Sequence, residues 1–477
     1  MNMVDNYFIH LFETPLNKYF YDVNTNKIID IPENVYMYLK NKESKKEAIE
    51  VIEKYIKDLK DQGYLKDKKV QQVKHPRTKY IEYFVNNKMN DLVLQVTQDC
   101  NLRCEYCPYS IGNKHRIHNK STMDVEIAKK GIDFLVKHSR ESEELNIGFY
   151  GGEPLIEFEL IKECVKYADL ATEGKKLSYS MTTNGTIMND EIIDFFYKNK
   201  FLITVSLDGP AHVHNRSRHF AYSDKGSFDT IIENLQKIEK KYPSYYREKV
   251  IFNAVVTAEY GFLEIDNFFK EEYLTKDNAV TLSMDNNLEN NMNPKIERTY
   301  KEDYIIERQY LEFLMLLSKI GWLEDYKVSA GSEDNFRSLA TFERKMRMDK
   351  RSELPDEWHH GGPCMPGEKR LFMTVDGNFY PCEKVSEINI ENNIGNIFEG
   401  VDVDKVNSIL NIGCRNQKKC TNCWAYSLCS VCILYYENRE NLDNVCSSIR
   451  KDIEDKMKTL CLLNEFNYKL DHEMIQI

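Results

Sequence analysis

Thirteen cysteines in a chain of 477 residues are the residues best suited to do chemistry here. They are unevenly placed. Cys100, Cys104 and Cys107 form one group, Cys164 stands alone, and the other nine lie at or beyond Cys364. Clustered thiols of a reducing compartment point to metal or redox chemistry rather than to structural disulfides. The first group has the spacing Cys100-x3-Cys104-x2-Cys107. Four thiolates saturate a four-iron cluster. Three leave one iron open, as a catalytic zinc site leaves one position open. An open iron can chelate the amino and carboxylate groups of a substrate. Two plainer readings compete. Cysteines at i, i+4 and i+7 share a helix face, but Pro108 and a strand-like run just before argue against a helix. A zinc site wants a fourth ligand nearby. Farther on, Cys420-x2-Cys423-x5-Cys429-x2-Cys432 is followed by Cys446 and preceded by Cys364, Cys382 and Cys414. A structural zinc ribbon is the plain alternative there. Cys164 and Cys461 lie in helical patterns and read as core residues.

The elements that must position these groups fall into four stretches. Residues 1–85 read as a separate small α+β unit, winged-helix-like. NYFIHLFE, KYFYDV and KIIDI are three short strands, and SKKEAIEVIEKYIKDLKDQGYL is an amphipathic helix ended at Gly63. Residues 90–290 alternate strands and helices: DLVLQVT, LNIGFYGG, LSYSMTTNG, FLITVSLDG, VIFNAVVT and AVTLSM are the strands. Repeated βα units predict an α/β fold with a parallel sheet, open or closed into a barrel, and sites at the C-terminal ends of the strands. The first cysteine group, GGEP, TTNG and SLDG all fall at such ends. Residues 291–360 read as a helical bridge. Residues 361–477 read as a loop-rich region with few core-building residues, stapled by metal.

Bulk properties narrow the class. The formal net charge of −11 argues against nucleic-acid binding through phosphate contacts. No apolar run approaches the roughly 20 residues needed to span a bilayer. The N-terminus lacks the features of a signal peptide, so a soluble cytoplasmic protein without a membrane partner is expected.

With an aromatic residue, Tyr106, before the last cysteine, CNLRCEYC resembles the signature of the radical S-adenosylmethionine (SAM) superfamily. The resemblance implies a partial (β/α)6 barrel, a [4Fe-4S] cluster held by Cys100, Cys104 and Cys107, and SAM on its open iron. SAM cleavage then gives a 5′-deoxyadenosyl radical, whose chemistry belongs to the cofactor. Tyr106 is implied to pack near the adenine. Gly151, Gly152, Glu153 and Pro154 resemble the segment that holds the SAM amino group. SLDGP and HNRSR resemble the ribose and carboxylate contacts, implying roles for Ser206 and Arg218; the family's Asp after the His is here Asn215. The C-terminal cysteines resemble the SPASM extension, although its usual gap of three before the last cysteine of the central run is here two. The resemblance implies one auxiliary cluster on Cys420, Cys423, Cys429 and Cys446, and another on Cys364, Cys382 and Cys432. That makes three [4Fe-4S] clusters in all. Cys414 is either the eighth auxiliary ligand or free, leaving a vacant iron. Glu383 stands where anaerobic sulfatase maturases carry a catalytic base, and also reads as a solvated acid on a turn.

SPASM proteins mostly act on peptides. The N-terminal unit resembles the peptide recognition element of ribosomal peptide maturases, which binds a leader by strand addition. The expected enzyme therefore installs thioether cross-links in a ribosomal precursor peptide, with an electron donor such as flavodoxin or ferredoxin. Its rivals are carbon–carbon cross-linking, formylglycine formation in a sulfatase, and a non-enzymatic three-cluster electron carrier.

Overall fold

A computed structural model describes residues 7–470 apart from 42–45, 108, 110–115, 117, 173, 257–259, 285–301, 325, 329 and 437–441. The first residues of the expected bridge, 291–301, and Pro108 lie outside the described residues.

Three strands open the chain: β1 (Ile9–Glu13), β2 (Lys18–Asp22) and β3 (Lys27–Ile31), antiparallel in that order. Alternation splits β2 between two faces. Phe20 packs with Ile31, Val35, Leu39, Ile52 and Ile56, which belong to the strands and the two helices that follow. Tyr19 and Tyr21 point the other way. They join a core with Tyr426, Ile453, Met457 and Leu460 from the far end of the chain. A short strand, β4 (Gln72–Val73), pairs in parallel with a later one at Glu357–Trp358. Residues 1–85 are thus not separate as the sequence led us to expect, because one face of their sheet is finished by C-terminal residues.

The sequence-predicted parallel strands all form: β5 (Asp91–Thr97), β6 (Glu144–Gly151), β7 (Lys176–Thr183), β8 (Leu202–Ser206), β9 (Val250–Val256) and β10 (Val280–Met284). After β11 (Glu357–Trp358), β12 (Leu371–Met373) and β13 (Phe379–Tyr380) follow. These join the sheet in the order β10-β9-β8-β7-β6-β5-β12-β13. β12 runs parallel to β5, with Phe372 opposite Val93, and β13 returns antiparallel. β5 is buried along nearly its whole length, as a strand covered on both faces should be. Helix Val125–Lys137, capped by Asp124, lays Ala128, Ile132 and Leu135 on the sheet.

One large core runs through sheet and helices. It also takes in Leu371, Phe372, Phe379, Val406, Leu410, Val431 and Val445. The C-terminal region was expected to contribute few core residues, and this corrects that reading: its short strands and helices are built into the same core as the parallel sheet. In helices Glu302–Lys319 and Ala330–Met348, Leu311 lies in this core while Met315, Phe336 and Leu339 lie in the core shared with the N-terminal sheet. Among the described residues no helix is long and apolar enough to cross a membrane.

Candidate active site

Six parallel strands end on one rim, and most of the residues singled out in the sequence lie there. The loop carrying Cys100, Cys104 and Cys107 leaves β5. Cys100 Sγ accepts from the Leu102 N–H at 3.4 Å and from Asn184 Nδ2, past the end of β7, at 3.8 Å. Burial pushes all three thiols up, Cys104 to about 12, and the neighbouring Cys104 and Cys107 raise Cys100 further. The three thiols lie within electrostatic reach of one another and none ionises easily there, although among the described residues no three such side chains are gathered closely enough to hold a single metal ion. A metal needs the thiolate, so a bound cation must supply the charge that burial withholds. The donor set fits an iron cluster with one unfilled ligand position.

Gly151 and Gly152 have a reason that the sequence did not disclose. A Cβ on Gly151 would lie 2.2 Å from the Thr97 carbonyl oxygen, and one on Gly152 would lie 2.0 Å from that of Asp99. Gly151 also has φ +149. The end of β6 therefore presses directly on the backbone that launches the cysteine loop. Gly152 and Glu153 donate their N–H groups to Thr97 and Asp99 (3.0 and 2.9 Å). The fully buried Glu153 carboxylate accepts from Thr183 Oγ1 (2.7 Å), Asn184 N (2.7 Å) and Leu155 N (3.1 Å). Burial pushes it up to about 7, against those three bonds. Two of these three bonds tie the end of β6 to the end of β7, and the third, from Leu155, is local.

The end of β8 carries a network that sequence reasoning missed in its central member. Asp208 is 2% exposed. It accepts from Arg218 Nε and Nη2 (2.8 and 3.1 Å), from the Tyr106 hydroxyl and from Val255 N (2.9 Å). Burial opposes its charge, yet Arg218 holds the carboxyl below the usual range. Arg218 also lies over the Tyr106 ring (5.3 Å to the centroid), and its Nη1 reaches to 4.0 Å from Cys104 Sγ. Burial pushes His214 down to about 3, so its ring is neutral. Nδ1 accepts the Asp208 N–H (3.2 Å), and Nε2 faces Ser227 Oγ at 2.9 Å. Tyr106 and Arg218 are therefore brought together beside Cys104. Ser206 is half-buried, opposite Asn253. The missed Asp208 left one signal, an acid directly past a strand end with an arginine one helix later.

The C-terminal thiols form two groups. Cys420, Cys423, Cys429 and Cys446 interact electrostatically; burial pushes Cys420 and Cys429 up to about 12, and their neighbours add to it. Cys382, pushed up to about 11 by burial and Glu383, has Cys432 as its neighbour. Cys414 stands on the Cys420 side. Its Sγ–H donates to the Val73 carbonyl at 2.8 Å, and it contributes to raising Cys420. Cys364 is exposed. Cys164 and Cys461 are buried core residues. Glu383 is mostly buried rather than solvated, with Oε1 accepting from Arg370 Nη1 at 2.9 Å.

Residues 94–257, which contain the three-thiol loop and all the strand-end segments just described, match the model of the Radical SAM superfamily. Over those residues the chain is similar to a radical SAM domain. It is an enzyme, and a [4Fe-4S] cluster and SAM are the cofactors that this domain implies. Similarity extends beyond the domain. The chain is 27% identical over 348 residues to a cysteine-type anaerobic sulfatase-maturating enzyme of Clostridium novyi, covering 71% of this chain and 86% of that enzyme. It is 26% identical over 196 residues to the radical SAM cyclopropyl synthase TigE of Paramaledivibacter caminithermalis, covering 39% of each. Among solved structures, native anSMEcpe with bound AdoMet has the same fold. The TM-score is 0.59 and the identity 20%, across 79% of this chain and 99% of that one.

Proposed function

We propose that this radical SAM enzyme oxidises a cysteine side chain in a peptide or protein substrate, as a sulfatase-maturating enzyme does. The observation that carries the reading is the likeness to the Clostridium novyi enzyme, which runs through 86% of that enzyme's length and well past residues 94–257. This reverses the order expected from sequence, where thioether formation led and formylglycine formation was a rival. Conversion of a cysteine CH2–SH to an aldehyde removes two hydrogens, and water then replaces sulfur, which leaves as hydrogen sulfide.

Cys100, Cys104 and Cys107 would hold the SAM-binding cluster; once loaded, it supplies a radical able to take hydrogen from an unactivated carbon. Tyr106 and Arg218, locked by Asp208, would wall the SAM side, with Ser206 and the backbone of Gly151–Glu153 at the rim. Cys420, Cys423, Cys429 and Cys446 would hold one auxiliary cluster, and Cys364, Cys382 and Cys432 the other, for three [4Fe-4S] clusters. With Cys414 beside Cys420, the second set keeps only three thiols and an open ligand position. Glu383, next to Cys382 and shielded from solvent, would take a proton from substrate. Flavodoxin or ferredoxin would supply the initiating electron.

A second reading retains the thioether product on a ribosomal precursor peptide. It is favoured by the N-terminal sheet, whose β3 pairs only with β2 among the described residues and so offers an edge for strand addition. Mass spectrometry after iodoacetamide treatment separates the two. The aldehyde product has lost sulfur. A thioether is two hydrogens lighter, with sulfur retained and one thiol no longer alkylated. Product with its sulfur in place would displace the first reading.

A further inference from the structure

Between the three-thiol loop and Cys382 lies a buried arginine that neither the family match nor the readings above employ. Arg116 is 3% exposed. Its guanidinium is clamped between aromatic faces, with centroids at 5.1 Å for Tyr109, 5.3 Å for Phe372 and 6.0 Å for Tyr150. Nε faces Glu387 Oε1 at 2.7 Å. Nη2 donates to the carbonyl oxygens of Glu383 and Val385. Nε, despite that distance to Glu387, and Nη1 are both buried and make no hydrogen bond among the described residues. Close by, Glu383 Oε1 is taken by Arg370, while its Oε2 is also buried without a partner.

A buried donor and a buried acceptor left empty in the same neighbourhood are costly unless something fills them. Their surroundings place them at the centre of the molecule's chemistry. Burial raises the Tyr150 hydroxyl, Arg116 opposes that, and Glu383 and Cys107 add to it. One tyrosine therefore senses the arginine, the acid and a thiol of the first group. A group with an acceptor oxygen for Nη1 and a donor hydrogen for Oε2 has the chemistry of a peptide residue: its carbonyl on one side, its amide N–H or side-chain S–H on the other.

We propose that Arg116 Nη1 holds a backbone carbonyl of the substrate peptide and so positions the target residue between the three-thiol loop and Glu383. This rests on the reading of the chain as a peptide-modifying enzyme. The same oxygen chemistry is found in the SAM carboxylate. Arg218 already serves the Cys104 side of the rim, which leaves Arg116 for the peptide.

The test uses anaerobically reconstituted full-length enzyme, wild type, R116K and R116Q, with iron content and circular dichroism recorded for each. The probe is fluorescein-labelled Kp18Cys, the peptide named in a neighbouring anSMEcpe structure; anisotropy reports its affinity, and SAM affinity is measured in parallel. R116Q should bind the peptide about 10- to 100-fold more weakly, as loss of a charged hydrogen bond does, with R116K intermediate and SAM affinity unchanged. Unchanged peptide affinity in R116Q, or a loss confined to SAM, overturns the proposal. If R116Q fails to fold, R116K decides on the same measure. A wild-type enzyme that binds the peptide but leaves it unmodified refutes the cysteine-oxidation reading alone. One that does not bind it at all refutes this proposal.

Discussion

At the scale of single residues, the buried carboxylates of the rim do the fixing. Asp208 satisfies the guanidinium of Arg218, the Tyr106 hydroxyl and the Val255 amide at once. Asp208→Ala leaves a buried cation alone, which costs about 3–5 kcal/mol. The variant should unfold at distinctly lower urea concentration and lose SAM cleavage. Ser206→Ala, at a half-buried position, should shift stability by no more than about 0.5 kcal/mol. Glu153 carries a pH signature. Its folded-state value of about 7, against 4.5 for a free glutamate, means that the folded chain binds this proton more tightly than the unfolded one. Stability from this group is therefore highest below about 4.5 and falls as pH rises towards 7, where the loss levels off. Urea midpoints at pH 5 and pH 8 should differ less in Glu153→Gln than in wild type. The cysteine spacings and the glycine pair were legible in the sequence because they are local. Asp208 was not, because its partners come from residues 106, 218 and 255, and no spacing along the chain announces such a meeting.

Among the elements, the strand limits read from apolar runs agree with the structure to within about three residues, the widest miss being the end of β8 at Ser206. The tight crossing of β6 over the start of the cysteine loop was not legible. GGEP reads as a ligand segment, and only the packed backbones show that a side chain has no room there. Gly152→Ala must push Asp99 aside, and with it the loop that begins at Cys100. The expected result is loss of iron equivalent to one cluster, with the C-terminal thiols still loaded. Iron analysis and electron paramagnetic resonance of the reduced protein check this. The adjacency of β12 to β5 was equally hidden, because sheet order between distant segments leaves no periodic trace in either one.

On the scale of the whole molecule, the two ends of the chain are one body. Besides the shared core, His10 stacks on Trp424 at 3.7 Å and pairs with Glu454, while Glu465 accepts from Thr14, Asn17 and Tyr19. Composition and alternation identified the N-terminal sheet and its helices but gave no means of knowing which surface its second face would meet. Removal of residues 1–65 should therefore do more than delete a binding module. It uncovers Tyr426, Met457 and Leu460, and the truncated chain should aggregate on size-exclusion chromatography and load less iron than the full chain. A truncated chain that stays monomeric with full iron content would show the shared core to be dispensable. The same closure bears on how the protein is made. On the ribosome β5 emerges with one edge bare, and that edge stays bare until residue 371 has been synthesised. The first strands wait longer still, for helix Leu442–Glu465. Folding of this enzyme can finish only after helix Leu442–Glu465 has emerged, so a nascent chain stalled before that helix exposes both edge and core, and is a natural client for chaperones.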